Sequence, residues 1–299
     1  MISAVDEREV LSEQFERHRP HLRAVAYRML GSVSDSEDAL QEAWLRVRDE
    51  DPGGVENMRA YLTTVVGRVC LNQLRSRRRR REQLTDFHVP DPVVALPDDA
   101  DPEHDALLAD SVGLALLVVL DSLSPAERLA FVLHDVFAVP FAEVASVLDR
   151  SEAAAQQLAS RARRRVRQSP EPDRDLGRQR ELVDAFFAAA RDGDFAALVA
   201  VLAPDVELRI DGGRSRADAS LRLRGAEALA KHTATYSGLY PHLRPALVNG
   251  AAGVVVAPRG RVFSVMAFTV ANGRIAQIDV LLDPERLAAL DLPVPPAAD

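Results

Sequence analysis

Two stretches with neither helical nor strand period divide this chain: "DFHVPDPVVALPDDADPEHD", Asp86 to Asp105, and "QSPEPDRDLG", Gln168 to Gly177. Each proline removes a backbone donor and biases the residue before it away from helix, so neither stretch continues a neighbouring element. They predict three units within 299 residues, at 1–85, 106–168 and 178–299, joined by an acidic Pro/Asp-rich linker at 86–105 and a shorter one at 169–177. With 47% apolar and 27% charged residues, each unit has the composition of an ordinary folded domain. The longest apolar stretch, Val112 to Leu120, is far short of the ~20 residues a membrane helix needs, and the N-terminus lacks a basic segment followed by an apolar one. A cytoplasmic protein without membrane contact is expected. Cys70 is the only cysteine, which excludes an internal disulfide and a multi-thiolate zinc site and predicts a buried structural thiol. No cofactor or metal is expected.

The formal net charge is −8, yet arginine clusters at Arg68 to Arg81 and Arg161 to Arg167. Net charge sets neither patch, so the clusters are read locally. In the first unit, "SVSDSEDALQEAWLRV" offers a capping box, Ser34 with Glu37, and predicts a helix start there. Ala39, Leu40, Ala43, Trp44 and Val47 then share an apolar face, leaving Asp38, Gln41, Glu42 and Leu45 on another. That second face suits a partner or plain solvent. In "RAYLTTVVGRVCLNQLRSRRRRRE" the inward positions are Leu62, Val65, Val66 and Val69, and Thr64, Arg68, Asn72 and Arg75 line the outer face. The run Arg77 to Arg81 prolongs that face. It fits a solvated basic helix end or a phosphate-binding surface, and the Asn and spaced Arg before it favour nucleic acid.

The second unit carries a stronger start signal: Ser124 as N-cap, Pro125 at the first helical position and Glu127 closing the box in "LSPAERLAFVLHDVF". Pro140 opens "FAEVASVL", a turn falls at Asp149-Arg150, and Ser151 caps "EAAAQQLASRARRRVR". This is a helix-turn-helix pattern. Ala155, Leu158 and Ala162 turn inward, while Glu152, Gln156, Gln157, Ser160, Arg161 and Arg164 stay exposed. Gln and Arg suit base edges at the N-terminal turns of such a helix, and the Arg-rich second half suits phosphates.

The third unit is α+β. Apolar-periodic helices in "ELVDAFFAAARDGDFAALVAVL" precede β-rich runs, and "VFSVMAFTV" and "RIAQIDVLL" flank Asn272-Gly273 as one hairpin; Asn249-Gly250 marks another turn.

On these residues, the chain resembles the extracytoplasmic-function (ECF) sigma factors of bacterial RNA polymerase. "AYRMLGSVSDSEDALQEAWLRV" is similar to their core-binding segment in region two, "AYLTTVVGRVCLNQLRSRRRR" to the promoter-melting helix, and "FVLHDVFAVPFAEVASVLDRSEAAAQQLASRARR" to region four. The fold class implied is multidomain: two all-α sigma domains, the second a helix-turn-helix, followed by an α+β SnoaL-like cone of the nuclear transport factor two and ketosteroid isomerase type. The partners implied are core RNA polymerase and promoter DNA. Asp38, Gln41, Glu42 and Leu45 would face the clamp of the largest polymerase subunit. Arg68, Asn72 and Arg75, with Arg77, Arg78 and Arg79 of the run, would lie at the minus-ten element. Ser151, Glu152, Gln156, Gln157, Ser160, Arg161 and Arg164 would lie at the minus-thirty-five element; the family often has a basic residue where this chain has Gln156.

Members of this family that carry a SnoaL-like domain have Trp-Leu-Pro-Glu-Pro, Asp-Gly-Gly-Gly-Lys and Asn-Pro-Asp-Lys-Leu signatures. The matching stretches here are "FHVPDPV", which keeps Pro90 and Pro92 but lacks the Trp, "DGGR" and "DPERL". The resemblance implies regulatory contacts within the chain through Asp211, Gly212, Gly213, Arg214, Asp283, Pro284 and Leu287. Asp211, His232, Tyr236, His242 and Asp279 invite an acid–base reading of the cone, but fold alone grants no activity. His232 and Tyr236 also suit a packing pair on one helix, and Asp279 a solvent-facing position, so no enzyme is expected and a small ligand of the third unit is left open. The rival reading is a one-component helix-turn-helix regulator with a ligand-binding SnoaL-like domain.

Overall fold

Gly31 ends the first helix, α1 (Ala4–Leu30), with φ +67, a backbone angle that glycine adopts without a Cβ penalty. One extended residue follows, Ser32, whose hydroxyl accepts from the Asp35 amide, so α2 runs Val33–Val47. The expected cap, Ser34, therefore sits in the first turn. Gly31 places the chain reversal two residues earlier than the capping-box spacing suggests. This computed structural model describes residues 4–48, 55, 57–81, 88–95, 114–168, 171–290 and 292.

The chain forms two compact units, Met1–Asp86 with Val119–Ser169, and Phe87–Val118 with Pro170–Asp299. Both helical segments thus share one unit, and the first linker goes with the third segment.

In the first unit α1 packs on α2 and on α3 (Met58–Arg81), burying Leu22, Met29, Leu40, Leu62, Val66 and Leu71. Cys70 is fully buried, which pushes its thiol up to about 12, so it is a packing residue. Helix α4 (Leu114–Asp121), whose residues to Val118 count with the second unit, is followed by α5 (Pro125–Ala130), which continues through a wider π-type turn at Phe131–Val136. Then follow α6 (Phe141–Leu148) and α7 (Glu152–Arg167). The reversal between α6 and α7 is made by Asp149 at φ 55, as the turn signal predicts.

The second unit has α8 (Leu176–Asp192), α9 (Phe195–Val201), α10 (Ala226–Thr233) and α11 (Pro284–Ala289) with a seven-stranded sheet in the order β1-β4-β5-β6-β7-β2-β3. The strands are β1 (Val94–Ala95), β2 (Leu202–Asp211), β3 (Leu221–Arg224), β4 (Leu243–Val248), β5 (Ala251–Val256), β6 (Ser264–Ala271) and β7 (Arg274–Leu281). All neighbours run antiparallel except β2 and β7. The expected β6–β7 hairpin turns at Asn272-Gly273, both with positive φ. Phe186, Phe187, Leu208, Ile210, Phe268, Ile278 and Val280 form the core between helices and sheet.

Neither linker is structureless. Val94 and Ala95 pair with Val248 and Leu247 at the edge of β4, which local pattern cannot reveal because the partner strand is remote in sequence. Asp175 caps α8, and the Asp173 carboxylate accepts from the Asn272 and Gly273 amides.

Candidate functional site

Helix α2 divides as its periodicity predicts. Ala39, Leu40, Ala43 and Val47 are buried and Trp44 packs against Phe15 with the rings tilted and their centroids 5.3 Å apart. Asp38 and Gln41 are exposed, and Leu45 is 45% exposed. A single exposed leucine is ordinary on a protein surface and does not by itself mark an interface. Glu42 is half-buried, accepting from Arg46 at 2.5 Å and from Gln73 of α3 at 3.4 Å.

On α3, Arg68, Asn72 and Arg75 lie exposed on one side. Arg68 also donates to the Ser146 carbonyl of α6 at 3.4 Å. Beside it α3 packs closely on the π-type turn, where a Cβ on Gly67 would stand 3.1 Å from a methyl of Leu133. Arg77 forms an ion pair with Asp35, tying the start of the arginine run to α2. The backbone stays helical to Arg81, while the side chains of Arg78 and Arg79 lie outside the described residues.

The helix-turn-helix is locally determined. Ser124 accepts from the Glu127 amide and Glu127 returns a bond to the Ser124 amide, a complete capping box. Burial opposes the Glu127 charge, but these Ser124 bonds and the nearby Arg165 and Arg161 outweigh it and lower its pKa. Ser151 accepts from the Ala154 amide and starts α7. Ala155, Leu158, Ala159 and Ala162 are buried, whereas Glu152, Gln156, Gln157, Ser160, Arg161 and Arg164 are exposed. Gln156 donates to Glu152 and Arg161 pairs with Glu127 at 3.2 Å. Arg128, only 2% exposed, joins the two helical segments by donating to the Arg28 carbonyl and to Asp121, each at 3.1 Å.

In the second unit the first linker is clamped at the ends of β2 and β7. Asp211 Oδ2 accepts from the Val89 amide at 3.0 Å and from Arg286 Nη1 at 2.8 Å, and stands 3.1 Å from His88 Nδ1. Arg286 of α11 also donates from Nε to Asp91 at 2.6 Å and from Nη2 to the Val89 carbonyl at 2.5 Å. One guanidinium thus bridges two buried carboxylates and the linker backbone. Burial of Asp211 opposes its charge, yet His88, Arg286 and the Val89 amide outweigh it and hold the carboxyl well below the usual carboxylate range. At the far end Asn249 closes a two-bond ring with Val93, donating from its amide and accepting at Oδ1.

The signature residues support this clamp from behind. Gly213 has φ +62, and a Cβ there would overlap the Asp283 carboxylate at 1.8 Å; a Cβ on Gly212 would lie 2.1 Å from the Arg216 carbonyl. Asp283 caps α11, Pro284 opens it, Leu287 is buried and Arg214 is exposed. Sequence reasoning passed over Arg286, His88, Val89, Asp91 and Asn249. Arg286 had a signal, since it fills the basic position of "DPERL".

The acid–base candidates do not assemble. Asp279 is 2% exposed, not solvent-facing, and pairs with Arg209 at 2.8 Å. Burial raises its pKa against the pull of Arg209. Its strand neighbours Ile278 and Val280 line the cone cavity, so alternation puts Asp279 on the opposite face. His232 lines the cavity, whereas His242 and every carboxylate are missing from its described lining. Helix α10 gives way to a tighter helix after Thr233, so His232 and Tyr236 are not on one regular helix, and the Tyr236 side chain lies outside the described residues.

The faces of α2 and α3 lie within one matched family region and the helix-turn-helix within another. Residues 14–80 match the Sigma-70 region 2 model and residues 113–166 the Sigma-70 region 4 model. The chain is 40% identical to ECF RNA polymerase sigma factor SigJ of Mycobacterium tuberculosis, over 93% of this chain and 94% of that one. It is 31% identical to the probable ECF sigma factor SigI of the same species, over 94% and 96%. The crystal structure of Mycobacterium tuberculosis SigJ superposes with a TM-score of 0.75 at 38% identity, covering 94% of this chain and 99% of that one. The chain belongs to the ECF RNA polymerase sigma factors, with region two and region four in its first unit and a SnoaL-like cone as its C-terminal domain. The one-component regulator is not favoured. Among the described residues no helix is long and apolar enough to cross a membrane.

Proposed function

We propose that this chain carries core RNA polymerase to its promoters and that its own C-terminal domain regulates that step through the linker between regions two and four. The α2 face of Asp38, Gln41, Glu42 and Leu45 meets the polymerase clamp. On α3, Arg68, Asn72 and Arg75 engage the minus-ten element, and Arg77, Arg78 and Arg79 hold phosphates. The first turns of α7, from Ser151 through Gln157, enter the major groove at the minus-thirty-five element, with Ser160, Arg161 and Arg164 beside them. No catalytic step is assigned to the cone, and the work is placed in the cytoplasm, where polymerase is.

The observation that carries the regulatory reading is the clamp: Arg286 joins Asp211 of the cone to Asp91 of the linker. The tether acts on the segment whose ends lead to the two promoter-reading regions. Asp211, Gly212, Gly213, Asp283, Pro284 and Leu287 shape that grip, and Arg214 is its exposed neighbour.

The sigma reading is tested by polymerase capture and promoter-directed transcription with the full chain. Asp38→Ala with Leu45→Ala should weaken capture of core polymerase at least tenfold. Gln156→Ala with Gln157→Ala should leave capture intact and reduce transcription from the cognate promoter. Capture unaffected by the α2 changes would contradict the assignment of that face.

A further inference from the structure

The first unit contains a cavity of about 390 Å³ whose walls come from both sigma regions. Leu30, Leu74 and Arg77 belong to region two, and Leu123, Arg128 and Arg165 to region four. Native interiors hold few voids larger than a water molecule. Sites for small organic ligands begin at about 300 Å³, so this one has room for a molecule of nucleotide size.

We propose that this cavity binds a small organic phosphate of nucleoside-diphosphate size, and that its occupancy holds regions two and four together. Three guanidiniums, of Arg77, Arg128 and Arg165, line it against two carboxylates, of Asp121 and Glu127. Both carboxylates are engaged already. Asp121 accepts from Arg128 Nη1 at 3.1 Å, and Glu127 accepts from the Ser124 amide at 3.0 Å and from Arg161 Nε at 3.2 Å. The walls therefore carry cationic donors in excess, which selects an anion. A diphosphate has enough acceptor oxygens to meet more than one guanidinium fork, whereas a carboxylate has two.

The three arginines are held unequally. Arg128 is 2% exposed and is fixed by the Arg28 carbonyl as well as by Asp121, so its charge is set in place before a ligand arrives. Arg77 pairs with the part-exposed Asp35, and Arg165, half-exposed, stands 3.5 Å from Glu127. Ion pairs that water reaches are weak, so an incoming phosphate can draw both side chains to itself. Leu30, Leu74, Leu123 and Pro125 supply apolar wall for the organic part. Separating the regions divides these walls. The ligand thus favours the packed arrangement by its differential affinity for it, and it occupies Arg77, which the proposed function gives to promoter phosphates.

The test titrates the full chain with ADP by calorimetry, with inorganic pyrophosphate and adenosine as the two halves of the probe. ADP is expected to saturate one site per chain, at least threefold tighter than pyrophosphate and at least thirtyfold tighter than adenosine. Arg165→Ser and Ser122→Glu, both at exposed positions of the wall, should each weaken ADP binding at least tenfold. Replacing Arg78 to Arg81 with Ser should leave it within twofold. No saturation, equal binding of adenosine, binding indifferent to both wall changes, or loss of binding with the arginine run would overturn the site. Pyrophosphate as tight as ADP would overturn the organic class. The second arm rests on the sigma reading: ADP at ten times its Kd should weaken capture of core polymerase about tenfold, and should not affect capture by the Ser122→Glu chain. Binding with unchanged capture would overturn the coupling. The calorimetric arm contains no polymerase, so failure of the sigma reading is separate from failure of the site.

Discussion

Arg286 holds the linker because it meets two carboxylates that water reaches poorly, Asp211 and Asp91. Removing one partner of such a set leaves the others buried and uncompensated, a loss of roughly 3 kcal/mol. Arg286→Ala should therefore speed hydrogen exchange of the Val89 amide by about a hundredfold, while the core of the cone keeps its protection. Asp211 sets the acid limit. Its folded pKa lies below the unfolded value of ~3.9. The stability it contributes is then complete above that value and is lost as pH falls toward the folded pKa. The melting-temperature advantage over the chain carrying Asp211→Asn should not fall from pH 7 to 5 and should shrink below about pH 4. An advantage that already declines near neutral pH would contradict a depressed Asp211.

The helices owe their positions to short-range chemistry, and loss of one cap should cost a predictable amount. Ser151→Ala removes the bond to the Ala154 amide at the start of α7 and should destabilise by about 1 kcal/mol, read as a lower melting temperature. The arginine run acts over a longer range. Replacing Arg78 to Arg81 with Ser spares the Arg77–Asp35 pair and should flatten the log–log salt slope of promoter binding by about one for each phosphate that is no longer neutralised. An unchanged slope would make the run a solvated helix end. Features of this kind were legible beforehand: the Ser124–Glu127 box, the Ser151 cap, the exposed faces of α2 and α7, and the β6–β7 hairpin all depend on residues a few positions apart. What escaped depends on distant partners. β1 exists because Val94 meets Val248, and Asp279 is buried because Arg209 faces it from the next strand. The "DGGR" and "DPERL" stretches lie at the corner of the cone where the linker is held, but the guanidinium that joins it to the linker emerged only when the fold brought residues 88–91, 211 and 286 together.

In the first unit, region two and region four are packed against each other, with Arg128 buried on the Arg28 carbonyl and Arg68 of α3 reaching Ser146 of the helix-turn-helix. A compact body of about 140 residues has a radius of gyration of roughly 14 Å. The minus-ten and minus-thirty-five elements are about 25 base pairs apart, roughly 85 Å at ~3.4 Å per pair. On the proposed reading, regions two and four must separate to reach both, and the segment that joins them is the one the cone domain grips. Loosening that grip should favour the open arrangement. The most direct measurement is transcript yield from the cognate promoter with saturating core polymerase, comparing the full chain with its Arg286→Ala variant. The clamp account predicts a several-fold higher yield for the variant; an equal or lower yield would contradict it.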